Sequence, residues 1–468
     1  MDWKKIVPNK FLVLPLVIGV GLIGAGPLSA SPRIFKTGTT IYDPTKAYNS
    51  YVIFSAPDGK THLIDLDGNE VHSWPHVGFP AGLLDPKLTG GQLGHVLLQL
   101  KNGVGRERGF FSNRVFGELD WDGKTVWEWG EQAPGGIADQ HHDWARLPNG
   151  NTLILSNVTH PVKGLVKAPV HDQVFYEVTP DGKIVWTWVA GDHLDEFGFT
   201  PSDLNYLREV VKRGKNVEYL HFNNMKPVGP NHWFDKGDQR FNPDNVITDS
   251  RNANFIIIID KKTGKVVWRL GPDFPRVKVK VTSQFVDNPQ GQLPRPVDQI
   301  SGQHDAQIIP EGLPGAGDLL VFDNQGSAGY PPVSQLGGSR VLEINPVTKE
   351  IVWQYTGEDS GRTAWTFRSH FVSDARRLPN GNTFIDEGSD GRFFQITPAG
   401  QIVWEYVNPY VNQPGDKEWA PTGNAQVVSN YVYRAIPVPY DWVPAGTPHS
   451  ENPVAEPNIF NLTPAPAQ

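Results

Sequence analysis

The chain has 468 residues, a formal net charge of -8, 48 Gly, 41 Pro, 15 Trp and no Cys. That balance of turn formers, aromatics and charge excludes a disordered chain, and the lack of a long basic run argues against nucleic acid as a partner. Without cysteine, neither a disulfide nor a thiolate metal site is possible.

Lys4, Lys5 and Lys10 precede an apolar run from Phe11 to Ile23, broken by Pro15 and Gly19, and Leu28-Ser29-Ala30 offers a small-residue cleavage site. Residues 1–30 therefore read as a secretory signal. The alternative is an uncleaved anchor, which would bring the protein to a membrane. The run is shorter than the ~20 apolar residues a spanning helix needs.

A phrase then recurs along the chain: an apolar stretch, a polar turn, and alternating residues ending in tryptophan. It spans His62 to Trp74, Gly117 to Trp127, Tyr176 to Trp186, Ile258 to Trp268, Leu342 to Trp353 and Phe394 to Trp404. Asp-Gly, Thr-Gly or Ala-Gly supplies most of the turns, and the period of two gives half-buried strands, so each phrase predicts a β-hairpin. A second hairpin lies upstream in some repeats, at Leu147 to Ile154 and Leu378 to Ile385, with a degenerate version from Ile309 to Phe322. Two hairpins per repeat make four strands, and four-stranded repeats at roughly 50 residues or more predict a propeller. The expectation is an all-β fold, a six-bladed β-propeller over 31–444, with the recurring tryptophans packed between blades.

Thr200 and Pro201 open a predicted helical insertion running to Arg213. Loops around 105–114, 228–246 and 326–338 are expected at the mouth of any site. The Pro-rich stretch 445–468 is expected to be a disordered tail.

His142 and His304 each stand six residues before a proline, Pro148 and Pro310. Equivalent positions in different blades lie at similar height and radius, so their side chains converge. His221, with Asn223, enters from the blade between them, and Arg251 stands just ahead of a strand of that blade. Imidazoles, an amide and a guanidinium suit a tetrahedral oxyanion: arginine offers a fork of donors, and histidine can act as nucleophile, acid or donor. His141 competes with His142 as the working residue, because neighbours on a strand point oppositely. His370 falls off the register, where Ser373 stands instead. Three histidines could also hold zinc, but no His-X-His or Glu-rich set accompanies them and Arg251 would repel a cation.

At these residues the chain resembles the arylsulfate sulfotransferase family, secreted bacterial six-bladed propellers that move a sulfuryl group between phenols without a nucleotide donor. The likeness begins at Gly38 to Pro44, runs through His141-His142-Asp143 with Leu147 to Asn151, and is most specific at His221-Phe222-Asn223, Ser250-Arg251, Gln303-His304 and Phe322-Asp323-Asn324. The resemblance implies that His304 is the nucleophile, that His221, Asn223 and Arg251 bind the sulfuryl oxygens, and that His142 is a further active-site histidine. It implies an aryl sulfate donor, a phenolic acceptor, no cofactor and a secreted or periplasmic location. Departures are Asn224 where serine is common, Asn252 where histidine is common, and a long insertion between His221 and Arg251. Alternatives are a non-catalytic binding propeller and a quinone-dependent dehydrogenase, whose tryptophan docking phrase resembles Asp260 to Trp268.

Overall fold

Each recurring phrase folds as the outer hairpin of its own antiparallel sheet, and six such sheets form the molecule. The computed structural model describes residues 36–102, 113–214, 218–275, 293–333, 337–414 and 427–456; the expected signal segment lies outside them. Among the described residues no helix is long and apolar enough to cross a membrane.

In chain order, blade 1 contains Tyr51–Ser55, Thr61–Ile64 and Glu70–Trp74. Blade 2 runs from Val77–Leu83 to Thr125–Trp129, blade 3 from Trp144–Arg146 to Ile184–Val189, and blade 4 from Lys226–Pro227 to Val266–Leu270. Blade 5 runs from His304–Ile308 to Glu350–Tyr355 and blade 6 from Asp374–Arg377 to Ile402–Val407. The inner strand of blade 1 comes from the far end of the chain, where Ala435–Val438 pairs with Tyr51–Ser55. Gly38–Tyr42 in turn adds to the outer edge of blade 6, so both ends of the described chain close the ring. Blade 6 therefore has five strands, as does blade 5, where Arg295–Pro296 pairs with the outermost strand.

The turns explain the phrases. Gly400 sits at φ 86, a conformation open to glycine, and in blade 5, where no glycine is available, Lys349 takes φ 57. The core lies between blades: Val52 and Phe54 of blade 1 pack with Phe384, Phe393 and Trp404 of blade 6. The tryptophans bolt neighbouring blades together. Trp186 donates its indole N–H to Lys261 O, Trp268 to Pro346 O and Trp404 to Leu66 O, each carbonyl lying in the outer turn of the next blade. Trp268, the residue of the dehydrogenase-like phrase, is thus committed to packing.

The helical insertion forms as expected over Pro201–Arg213, with Thr200 and Asp203 in a reciprocal capping box. Residues 445–456 depart from the expected disorder, while 457–468 lie outside the described residues. Val454 and Tyr42 exchange backbone hydrogen bonds, His449 stacks on Tyr440 at 4.1 Å, and Ser450 bonds Asp65 and Asp67, which fixes the chain as far as 456. The loop at 228–246 also differs: it joins the inner strand of blade 4 to the second, Val246–Ser250, on the face opposite the histidines.

Trp404→Ala removes a buried indole that stacks near Phe384 at 6.0 Å and Tyr406 at 6.0 Å. It is expected to cost about 3–5 kcal/mol in guanidinium denaturation, whereas exposed Trp365→Ala should stay within about 0.5 kcal/mol.

Candidate active site

The strand registers define a ring of equivalent positions. In the six blades the first residue of the second strand pairs with Val438, Leu83, Arg146, Pro227, Ile308 and Arg377. Four residues upstream of these, in the same order, stand Arg434, Phe79, His142, Asn223, His304 and Ser373. His142 and His304 are therefore equivalent, as their spacing to proline predicts. In blade 4 the equivalent residue is Asn223, and His221 reaches the site from two positions earlier. It does so through a left-handed backbone, φ 52, and His142 adopts φ 56.

These residues surround a cavity of about 500 Å³ lined by His142, His221, Arg251 and His304, with Phe79, Tyr433, Phe371 and Val372 as apolar walls and Arg368, His370, Ser389 and Asp390 completing it. Phe79 lies 4.6 Å from the His142 ring and 4.0 Å from Tyr433, and the His142 and His221 rings meet at 4.5 Å. His370, off the register, arrives through the connection between blades 5 and 6. Asn223 is fully buried; its amide donates to Gln303 O at 2.9 Å, steadying the residue before His304. Its role in this geometry is behind the cavity wall.

The tautomer of His304 follows from its neighbours. Asn324 Nδ2 donates to Ser369 O at 2.7 Å and Val372 O at 2.9 Å, so Asn324 Oδ1 must accept, and it faces His304 Nδ1 at 2.7 Å. The proton sits on Nδ1, and Nε2, with its lone pair, accepts from the Val372 N–H at 3.1 Å. Burial first, then the Arg251 charge, holds His304 well below the ordinary imidazole range. Burial likewise depresses His142, with His221 and His141 adding to the effect.

Arg251 is oriented by Asn252, whose Oδ1 accepts from Nη1 at 3.0 Å while its amide donates to Glu218 O at 2.9 Å. Asn224 is structural: its amide donates to Ala306 O across blades and its oxygen accepts from Asp249 N at 2.7 Å. Asn224 and Asn252, the two residue departures from the pattern, thus support the site without entering it. Glu218 accepts from His221 Nδ1 at 2.8 Å. Burial would raise its carboxyl, but the His221 and His141 imidazoles outweigh this and lower it to about 2. Sequence reasoning missed Glu218, whose only signal is its place three residues before His221.

His141 and His142 are coupled, their Nδ1 atoms 2.6 Å apart and their rings perpendicular. Only His142 lines the cavity. With Glu218 they bring ligand atoms within 4.8 Å of one another, the one potential metal grouping among the described residues. The donor set suits zinc; His141 and His142 turn their Nδ1 atoms to each other and Glu218 accepts from His221, while the buried His141 Nε2 has no hydrogen-bond partner.

Beneath the ring lies a buried charge network. Arg434, fully buried, pairs with Asp143 at 3.0 Å and Asp305 at 3.2 Å, and donates to Asn223 O at 2.7 Å. Tyr433 O–H points at His142 O, 2.8 Å, and Asn223 O, 2.6 Å. Asp305, whose backbone is left-handed at φ 54, turns to Arg434 while His304 lines the cavity.

Among solved structures, the chain is similar to a Bacteroides caccae protein of unknown function, at 13% identity over 83% of this chain and 99% of that one, TM-score 0.44. It is also similar to virginiamycin B lyase from Staphylococcus aureus, at 11% identity over 80% and 87%, TM-score 0.33. No curated protein matches it in sequence. The sequence profile of the family described as Arylsulfotransferase (ASST) matches residues 95–432, a span that holds every histidine and arginine of the cavity wall, and the chain belongs to that family.

Proposed function

We propose that the protein moves a sulfuryl group from an aryl sulfate ester to a phenolic acceptor through a covalent intermediate on His304, outside the cytoplasm and without a nucleotide donor. The observation that supports this best is the hydrogen-bond chain through Asn324, which leaves His304 Nε2 as a neutral lone pair beside the cavity. That lone pair attacks sulfur, the S–O(aryl) bond breaks, and the electron pair leaves on the phenolic oxygen. Arg251 supplies a fork of donors to the sulfuryl oxygens, with His142 and His221 beside it. The leaving oxygen takes its proton from His221 or His142, and the same imidazole later accepts the proton of the second phenol, whose oxygen attacks sulfur and frees Nε2. Phe79, Phe371 and Tyr433 give the aryl group an apolar surface.

Brief incubation with 4-nitrophenyl sulfate is expected to give a sulfuryl adduct at His304 by intact mass and peptide mapping. His304→Ala should show neither adduct nor transfer to added phenol; full transfer by that variant would sink the covalent mechanism. Arg251→Lys keeps the charge but loses the fork, and should lower kcat by about two orders of magnitude, on the order of 3 kcal/mol. The pH profile has a fixed sign. His304 must be unprotonated, and its depressed pKa keeps it so below the ordinary value of about 6.5. The burst of 4-nitrophenol should therefore hold steady as pH falls to 6.5 and decline only further down; a decline centred above 6.5 would contradict the assignment.

A further inference from the structure

We propose that the backbone N–H of Val372 is a catalytic donor. In the resting protein it caps the lone pair of His304 Nε2, and as that lone pair bonds sulfur the N–H passes to a sulfuryl oxygen. The inference rests on His304 being the sulfuryl acceptor and adds a group to its machinery.

Three observations lead to it. First, the Nε2 lone pair is the acceptor of the Val372 N–H at 3.1 Å, because Nδ1 holds the proton. One lone pair cannot both accept this hydrogen bond and form an N–S bond, so the donor is released when N–S forms. The oxygens of a group carried on Nε2 surround that atom, within reach of a donor already beside it. Second, the amide is held in place by bonds besides its own to His304. Val372 has φ 55 and Ser373 φ 92, left-handed values that a β-branched residue adopts only where the surroundings impose it. Asn324 Nδ2 clamps both Ser369 O and Val372 O, Ser373 N donates to Tyr433 O at 3.1 Å, and Ser373 Oγ donates to Ser369 Oγ at 2.8 Å. Third, Val372 is buried and lines the cavity, so water does not compete strongly for its N–H. The step balances without it changing: N–S forms, S–O(aryl) breaks, the electron pair goes to the phenolic oxygen, and the amide keeps its proton throughout. A fixed dipole aimed where sulfuryl charge must be met stabilises the transition state more than the resting state.

The test replaces the Phe371–Val372 amide by an ester, using the α-hydroxy analogue of valine, and measures the 4-nitrophenol burst. Loss of the N–H is expected to slow the burst by roughly 10²–10³-fold with KM little changed. An unchanged burst, or a faster one from an uncapped nucleophile, overturns the proposal. The ester also weakens the Phe371 carbonyl, which accepts from Ser369 Oγ at 2.8 Å; if Ser369→Ala, which removes that donor together with the acceptor of Ser373 Oγ, slows the burst as much as the ester, the effect belongs to the hydrogen bonds of this loop and the proposal falls. Should the ester protein not fold, hydrogen exchange on the wild-type chain decides. The Val372 amide should stay protected in both resting and sulfurylated protein, and rapid exchange in the adduct would overturn the handover. A wild-type chain with no burst and no adduct would instead remove the reading of His304 on which this rests.

Discussion

The buried guanidinium of Arg434 is the constraint on which the site depends. It lies among Asp143, Asp305 and the Asn223 carbonyl, fully removed from water. A charge so placed is tolerable only if each partner arrives in position, because removing one leaves an uncompensated ion in a low-dielectric interior. Asp143 and Asp305 directly follow His142 and His304, so fixing the carboxylates fixes the backbone that presents the imidazoles. Lys226 at 3.0 Å from Asp143 and Arg376 at 3.2 Å from Asp305 extend the same network to blades 4 and 6. Arg434 itself immediately precedes Ala435–Val438, the strand that closes the ring. The strand that closes the ring therefore also carries the cation that the site's carboxylates hold.

The ring of equivalent positions shows how a repeat fold builds an asymmetric site. Six positions share a place in the register, yet they hold Arg434, Phe79, His142, Asn223, His304 and Ser373. Two contribute imidazoles to the cavity, one an aromatic wall, and two, Arg434 and Asn223, turn to the support beneath. Blade 4 makes up the difference outside the register: His221 precedes Asn223, and Arg251 follows Val246–Ser250. The left-handed backbone at His142 and His221 lets these side chains leave the strand direction, a local cost held in place by the surrounding bonds.

Much of this was legible in the sequence, and the exceptions have physical reasons. The outer hairpins announce themselves because glycine at a tight turn and alternation are local signals, and the blades stand where the phrases lie. His142 and His304 were found because each is tied to a proline at fixed spacing. Arg434 and Phe79 carry no such mark: the strand after Arg434 pairs with Tyr51–Ser55 at the other end of the chain, and Phe79 lies on a strand whose register shifts between Val77 and Gly82. The stretch after 445 misled for a related reason. Its composition speaks for chain entropy, while the contacts that order it, such as Val454 with Tyr42, are long-range and invisible to composition.

The electrostatics suit an anionic visitor. His142 and His304 are held neutral by burial and by neighbouring positive charge, so the wall around Arg251 does not accumulate protons that would repel one another. Arg251 is itself partly desolvated, which weakens its hold on its own proton and strengthens its pull on any oxyanion that replaces the lost water. In the proposed reaction a sulfate ester entering this space would supply negative charge beside the imidazoles. Its field would oppose the effect of burial on His142 and so favour a proton there when the leaving oxygen needs one. In the proposed transfer His304 is spared the same fate as long as Nε2 is occupied, first by the Val372 N–H and then by sulfur. The proposed reaction needs a neutral nucleophile and a proton-bearing acid, two requirements that oppose each other in one cluster of histidines, and the lone pair already engaged by Val372 is what would separate them.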